Sequence, residues 1–350
     1  MTVVETGYKP AYGSAYPALW TRDHGYVVFH DPDLLTMAQL NQFVTHRLAK
    51  RSTSADGYAN FIADRIDAYG VVTYKNPGTS ERPFMDGIYF LVMVMYTVFK
   101  KYNDTSVFTA NKTVIDACLD AIPRSANGCI YSDVALPSVD YGFTDTVKKT
   151  GSTAYGTALM AWSYKMLAEI NGESGTGFYT TKFNTTIAGL ASLRKSNGYY
   201  RASSNNNYGN EDVWATALIV AENLMNSDAD RAESAKTLAT AYINGEISQS
   251  GCFRHLPKGQ YWFNTTTGHD SYQNGGFWLT PLWDIYRAVL LVSPFIAWRL
   301  RDNAIREVKR EVDAEPVVGA FSAPYEYIAW LTPSGPRGYT ASAAVVKRFV

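Results

Sequence analysis

The stretch Gly268-His269-Asp270-Ser271-Tyr272-Gln273-Asn274-Gly275-Gly276-Phe277-Trp278 decides how the rest of the chain reads. It sets a carboxylate, two amides, glycines and aromatic rings directly before an apolar run. That run, Leu279 to Leu291, predicts a helix buried on at least one face. Pro281 fits its first turn, where no backbone donor is missed. The polar segment therefore sits at the mouth of a helix, where free N–H groups and flexible glycines let a ligand approach closely. Rings beside amides and carboxylates are the mixture a sugar site needs. One face of a pyranose stacks on a ring, and its hydroxyls take the polar groups.

Working outward, a similar polar-aromatic segment precedes a helix near Trp20, Phe84, Asp145, Glu211, Asn274 and Glu326, at intervals of about 60 residues. Each interval holds two helices and two loops. Helical spacing is read over Leu34–Ala49, Ile88–Phe99, Val107–Ala121, Ser152–Ile170, Phe183–Leu193, a segment ending near Leu224, Asp230–Tyr242, Phe277–Leu291, Phe295–Val312 and Ala341–Phe349. Residues 1–33 read as irregular, and Phe61–Tyr69 as a short helix or an extended piece. No strand alternation competes, so the class is all-α. Six helical hairpins closing on themselves make an (α/α)6 toroid, which brings all six polar segments to one rim. No linker separates two compositions, so residues 1–350 read as a single toroidal domain.

Composition narrows the ligand. Hydrophobic residues make up 46% and charged residues only 18%, below the usual quarter of a globular chain. With 25 Tyr and 8 Trp, there are more rings than a core alone needs, and some are expected to line a cleft. The formal net charge is zero and no basic run exists, which argues against a nucleic-acid partner and for a neutral oligosaccharide. The apolar run Leu290–Ile296 is far too short to span a membrane. Cys118, Cys129 and Cys252 are odd in number and match no metal spacing. His24, His255 and His269 have no ligand spacing either, so no metal or other cofactor is expected. Met1–Gly7 lacks an apolar signal core, so the expectation is a cytoplasmic location or an unknown one, and the compartment stays open. Oligomeric state stays open.

Several segments resemble the six-hairpin glycosidase superfamily. Trp20-Thr21-Arg22-Asp23 is similar to the Trp-x-Arg-Asp segment of glucoamylase-like and invertase-like enzymes. Tyr272-Gln273-Asn274-Gly275-Gly276-Phe277-Trp278 resembles the Gln/His-Asn-Gly-Gly-x-Trp segment of neutral invertases and debranching-type enzymes. Gly142-Phe143-Thr144-Asp145 resembles the place where trehalase- and glucosidase-like members carry a catalytic acid. Tyr325-Glu326-Tyr327, with Gly338-Tyr339-Thr340 beyond it, resembles their late segment with the general base. The resemblance implies an (α/α)6 glycoside hydrolase with Asp145 as acid and Glu326 as base. The superfamily also holds epimerases, lyases and non-hydrolytic members, so fold does not fix reaction.

Each candidate has a plainer structural alternative. Asp145, beside Tyr141 and Phe143, has a setting that would raise a carboxyl pKa for proton donation, or it is a turn carboxylate. Glu326 would activate water at about 6.5–9.5 Å from the acid in an inverting enzyme, or it holds an arginine such as Arg337. Glu211 and Asp212 are rival acids, and one of them suits a helix first turn. Arg22 with Asp23 makes a sugar clamp or a surface pair. Asp86 holds the analogous place one repeat later, or caps a helix. Gln273 and Asn274 bind substrate or fix their loop. Trp20, Trp214, Trp262 and Trp278 stack on sugar or fill the core. The expectation is thus a glycoside hydrolase, inverting, acting on an α-linked glucoside or related neutral oligosaccharide. The alternatives are a sugar epimerase or polysaccharide lyase, or a non-catalytic glycan-binding toroid.

Overall fold

A computed structural model describes residues 18–75, 80–314, 327–329, 332–334 and 339–349. Its helices are α1 (Thr21–His30), α2 (Met37–Ala49), α3 (Gly87–Tyr102), α4 (Ser106–Ala121), α5 (Ala154–Ile170), α6 (Phe178–Ala191), α7 (Val213–Ala221), α8 (Asp228–Ile243), α9 (Leu282–Leu290), α10 (Pro294–Ala314) and α11 (Thr340–Lys347). The odd-numbered helices pack in series, α1 on α3, α3 on α5, α5 on α7, α7 on α9 and α9 on α11, and α11 returns to α1. They form a closed inner ring of six, and the even-numbered helices lie outside it. The described residues thus form an (α/α)6 toroid.

Sequence explains which helices go inside. Every residue of α7, Val-Trp-Ala-Thr-Ala-Leu-Ile-Val-Ala, is buried, and so is α3 from Gly87 to Met95. A helix apolar on all sides is stable only with neighbours all round. Each buried Leu, Ile or Val there contributes roughly 1.5–3 kcal/mol. The outer α8 is amphipathic instead and buries Ala235, Leu238, Ala239 and Tyr242 along one side. It opens on Ser227, whose side chain accepts from Asp230 N, with Asp228 and Asp230 in the first turn.

Three expectations need correction. Residues 21–30 are helical, not irregular. Arg22, Asp23, His24 and His30 lie on the buried side of α1, so its polar residues hide the period. Phe277 and Trp278 are not helical, because Trp278 pairs with Phe253 through backbone bonds of 2.7 and 2.8 Å, and α9 waits until Leu282 after Pro281. The helix read from Phe183 begins at Phe178, where the Glu173 carboxylate accepts from Tyr179 N and Thr180 N at 2.8 and 3.0 Å. The 61–69 segment resolves to its extended option, with a strand at Arg65–Asp67. No described helix is long and apolar enough to cross a membrane.

The toroid has two unlike ends. Tight turns join inner to outer helices at one end. At the other, long segments run from α2 to α3, α4 to α5, α6 to α7 and α8 to α9, carrying short hairpins such as Tyr131–Ser132 with Gly151–Ser152 and Tyr200–Arg201 with Glu211–Asp212. The N-termini of the inner helices all face this second rim, with their free N–H groups and positive dipole ends.

Candidate active site

At this rim the Arg22 guanidinium stands among carboxylates. Its Nη1 lies 3.3 Å from Asp64 Oδ1 and 3.6 Å from Asp86 Oδ2, and its Nε 3.8 Å from Asp23 Oδ2. All four side chains are buried. Asp23 belongs to the first turn of α1, and Asp86 occupies the N-cap position of α3. Asp86 accepts from the backbone N–H of Gly142 at 2.7 Å, and Asp23 accepts from the Tyr339 hydroxyl at 3.1 Å. Arg65 bonds Asp64 at 3.2 Å and lies 5.5 Å over the Trp20 ring. Burial pushes the Asp23 and Asp86 carboxyls up to about 6, with Arg22 pulling each back down.

Asp145 ends a 3-10 turn, Gly142–Thr144, that crosses above Arg22. Phe143 presents its ring to the Arg22 guanidinium at 5.1 Å. A Cβ on Gly142 would fall 1.6 Å from Arg22 Nη1, so only glycine allows the turn to pass this close. Asp145 is partly exposed, and desolvation raises its pKa against the pull of Arg22 and a Gln273 hydrogen bond. That amide holds the carboxyl and the residue that follows it. Gln273 Nε2 donates to Asp145 Oδ1 at 2.7 Å, and Gln273 Oε1 accepts from Thr146 N at 2.8 Å and Thr146 Oγ1 at 2.6 Å.

Trp20, Arg22, Asp23, Arg65, Gly142, Phe143, Asp145, Tyr272, Gln273 and Tyr339 line one cavity of about 90 Å³. This is well below the roughly 300–1,000 Å³ of a drug-sized site. Among the described residues it is a small, polar cup.

The structure brings Trp20, Arg22, Asp23, Asp86, Asp145 and Gln273 together at the cup, Asp86 through Arg22 and Gly142. It takes other sequence candidates elsewhere. Trp214, Trp262 and Trp278 are buried, so no ring face of theirs is open to a sugar. Trp262 Nε1 donates to Gln273 O, and Trp214 stacks on His255 with centroids 3.6 Å apart. Asn274 holds its own loop, accepting from Trp262 N at 2.8 Å and donating to Thr267 O at 3.1 Å. Asp212 caps α7 through Ala215 N at 2.8 Å, and burial lifts it to about 6. Glu211 is bound by Lys195, Gln260 and Asn197. Glu326 lies outside the described residues. His24, His255 and His269 each stack on a different ring, Phe43, Trp214 and Tyr261, and do not converge.

Sequence reasoning missed Asp64, the partner of Arg22 behind the cup, and Arg65 and Tyr339 in its lining. The signal for the first two was present: adjacent charges inside the apolar run Phe61-Ile62-Ala63-Asp64-Arg65-Ile66.

Neither a known family model nor a curated protein matches this sequence. Solved structures do match. The GH63 mannosylglycerate hydrolase from Thermus thermophilus, in complex with glucose, has a TM-score of 0.67 at 12% identity, covering 97% of this chain and 94% of that one. The glycoside hydrolase family 15 glucoamylase from Hypocrea jecorina has 0.61 at 16% identity, covering 99% and 66%. The rhamnosidase from Klebsiella oxytoca with rhamnose bound has 0.59 at 14%, covering 95% and 57%. Identities this low speak of fold and nothing finer. The chain thus shares the (α/α)6 toroid fold of these solved structures.

Proposed function

We propose that the chain, acting as one catalytic domain, is a glycoside hydrolase that removes a terminal neutral sugar with inversion at the anomeric carbon. The observation that carries this is Asp145: a partly exposed carboxyl at a small polar cup, raised by burial and held by Gln273. Raising favours the protonated form that can donate to a glycosidic oxygen. Glu326 serves as the base that takes a proton from the attacking water. Asp23, Arg22 and Trp20 hold the ring, through hydroxyl bonds and a stacking face. An α-linked glucoside or related neutral glycoside is the substrate class. The small cup favours attack on a chain end.

The test is turnover of aryl α-glycosides and neutral disaccharides, with the released anomer followed by proton NMR. Asp145→Asn and Glu326→Gln are each expected to lower kcat roughly 10²–10⁴-fold with circular dichroism unchanged. Near wild-type turnover in both variants would refute the assignment. First release of the anomer that retains configuration would refute inversion. An epimerase or lyase with a histidine base draws no support here, since no described histidine lines the cup.

A further inference from the structure

A far larger groove, about 700 Å³, lies on the outer wall and shares no lining residue with the cup. The end of α8, the hairpin Ser248–Gln249 with Cys252–Phe253, and α10 enclose it. Its size is that of a small-molecule site, roughly 300–1,000 Å³. The hairpin tip fixes its width. Gly251, at φ +78°, packs so closely on α10 that a Cβ would fall 2.5 Å from Ala304 N.

The α10 wall carries Arg299, Asn303, Arg306 and Arg310, spaced i, i+4, i+7, i+11 and therefore on one helix face. Asn303 donates to the Tyr242 hydroxyl at 2.7 Å, and Arg310 pairs with Glu307, the one carboxylate among the lining residues. Arg299 and Arg306 are exposed and hold no hydrogen bond or ion pair among the described residues. Across the groove, Gln249 Nε2 is buried with no partner. These three unmet groups are all donors, and two of them carry uncompensated positive charge. Guanidinium forks of this kind match carboxylate and phosphate oxygens. Beside them are apolar surfaces at Phe295 and Ile243, 71% and 64% exposed.

We propose that this groove binds a sugar-sized organic anion, its phosphate or carboxylate group on Arg299 and Arg306 and its body against Phe295. The site is separate from the cup and does not depend on the reaction proposed there.

Isothermal titration of the full chain with glucose 6-phosphate, glucuronate, inorganic phosphate and glucose tests it. Either organic anion is expected to bind saturably at millimolar or lower concentration, with glucose silent at this groove. The two anions distinguish phosphate from carboxylate preference. The double variant Arg299→Gln/Arg306→Gln is expected to weaken binding at least tenfold. Asp145→Asn is expected to leave it unchanged. Phe295→Ala, which removes no charge, is expected to weaken the sugar phosphate more than inorganic phosphate. Absence of binding by both organic anions, or unchanged binding in a folded double variant, would overturn the proposal. Equal affinity for inorganic phosphate and the sugar phosphate would overturn the role given to the apolar floor.

Discussion

Gly142 shows how much of the cup depends on one missing methyl group. Arg22 occupies the space an alanine would need, and it is the cation that compensates buried Asp64 and Asp86. Gly142→Ala is expected to displace the guanidinium and cost on the order of 3–5 kcal/mol, the usual penalty for uncompensating a buried charge. Urea denaturation and turnover of the variant check this; unchanged values in both would mean that Arg22 adapts. Such single-residue detail was only partly visible in sequence. Arg22, Asp23 and Gln273 sat in recognisable segments that precede helices. Tyr339 reaches Asp23 from the far end of the chain, which local sequence does not encode. Three of the four tryptophans, Trp214, Trp262 and Trp278, lie buried away from the cup for a similar reason. Loop placement fixes position along the chain, while exposure depends on what folds over it, as Trp262 shows.

At the scale of one element, the loop that presents Asp145 is closed by an ion pair. Lys149 Nζ lies 3.0 Å from Asp140 Oδ1, both side chains buried, with Asp145 between them in sequence. Trp262 lies under the ammonium at 5.4 Å, and Asp140 Oδ2 accepts from Gly156 N at the start of α5. Lys149→Met is expected to destabilise by about 3–5 kcal/mol, because Asp140 is left unpaired. Adding Asp140→Asn is expected to restore most of that stability but leave kcat at least tenfold low, with KM nearly unchanged. Full recovery of kcat alongside stability would show that the pair serves the fold and not the placement of Asp145. Among elements, legibility followed burial chemistry. The apolar helices α3, α5 and α7 announced themselves. α1 did not, because it buries polar and charged residues, Arg22 and Asp23 of the cup among them, alongside its apolar ones.

Across the whole molecule, buried carboxylates set a pH dependence. Burial raises Asp23, Asp86 and Asp212 to about 6, and burial with Glu222 nearby raises Asp284 to about 7. Unfolded aspartate titrates near 3.9, so folding takes up protons between these values. Each group's stabilising contribution is full below about pH 4 and is lost as pH rises through its folded pKa. Asp284→Asn removes the largest of these shifts. Relative to the parent chain, the variant is expected to gain stability from pH 5 to pH 8, on the order of 3 kcal/mol. Melting temperatures of both proteins at the two pH values measure it, and parallel pH dependence would disprove it. The overall architecture was the most legible level. A polar segment before each inner helix repeats at nearly constant interval, and a repeat of that length has few ways to bury its apolar helices except by closing into a ring.

That ring closes between α11 and α1. Tyr339 bonds Asp23 across 316 positions, Lys347 pairs with Asp31 at 2.5 Å, and Arg348 donates to Phe29 O. In kinetic terms this contact is expensive to form by chance, because it closes a very long loop, and α11 is made after the other five inner helices. Five inner helices can associate as an open arc while the sixth is still being made. The cup lies on that seam, so emergence of activity during synthesis or refolding would time the moment the circle shuts.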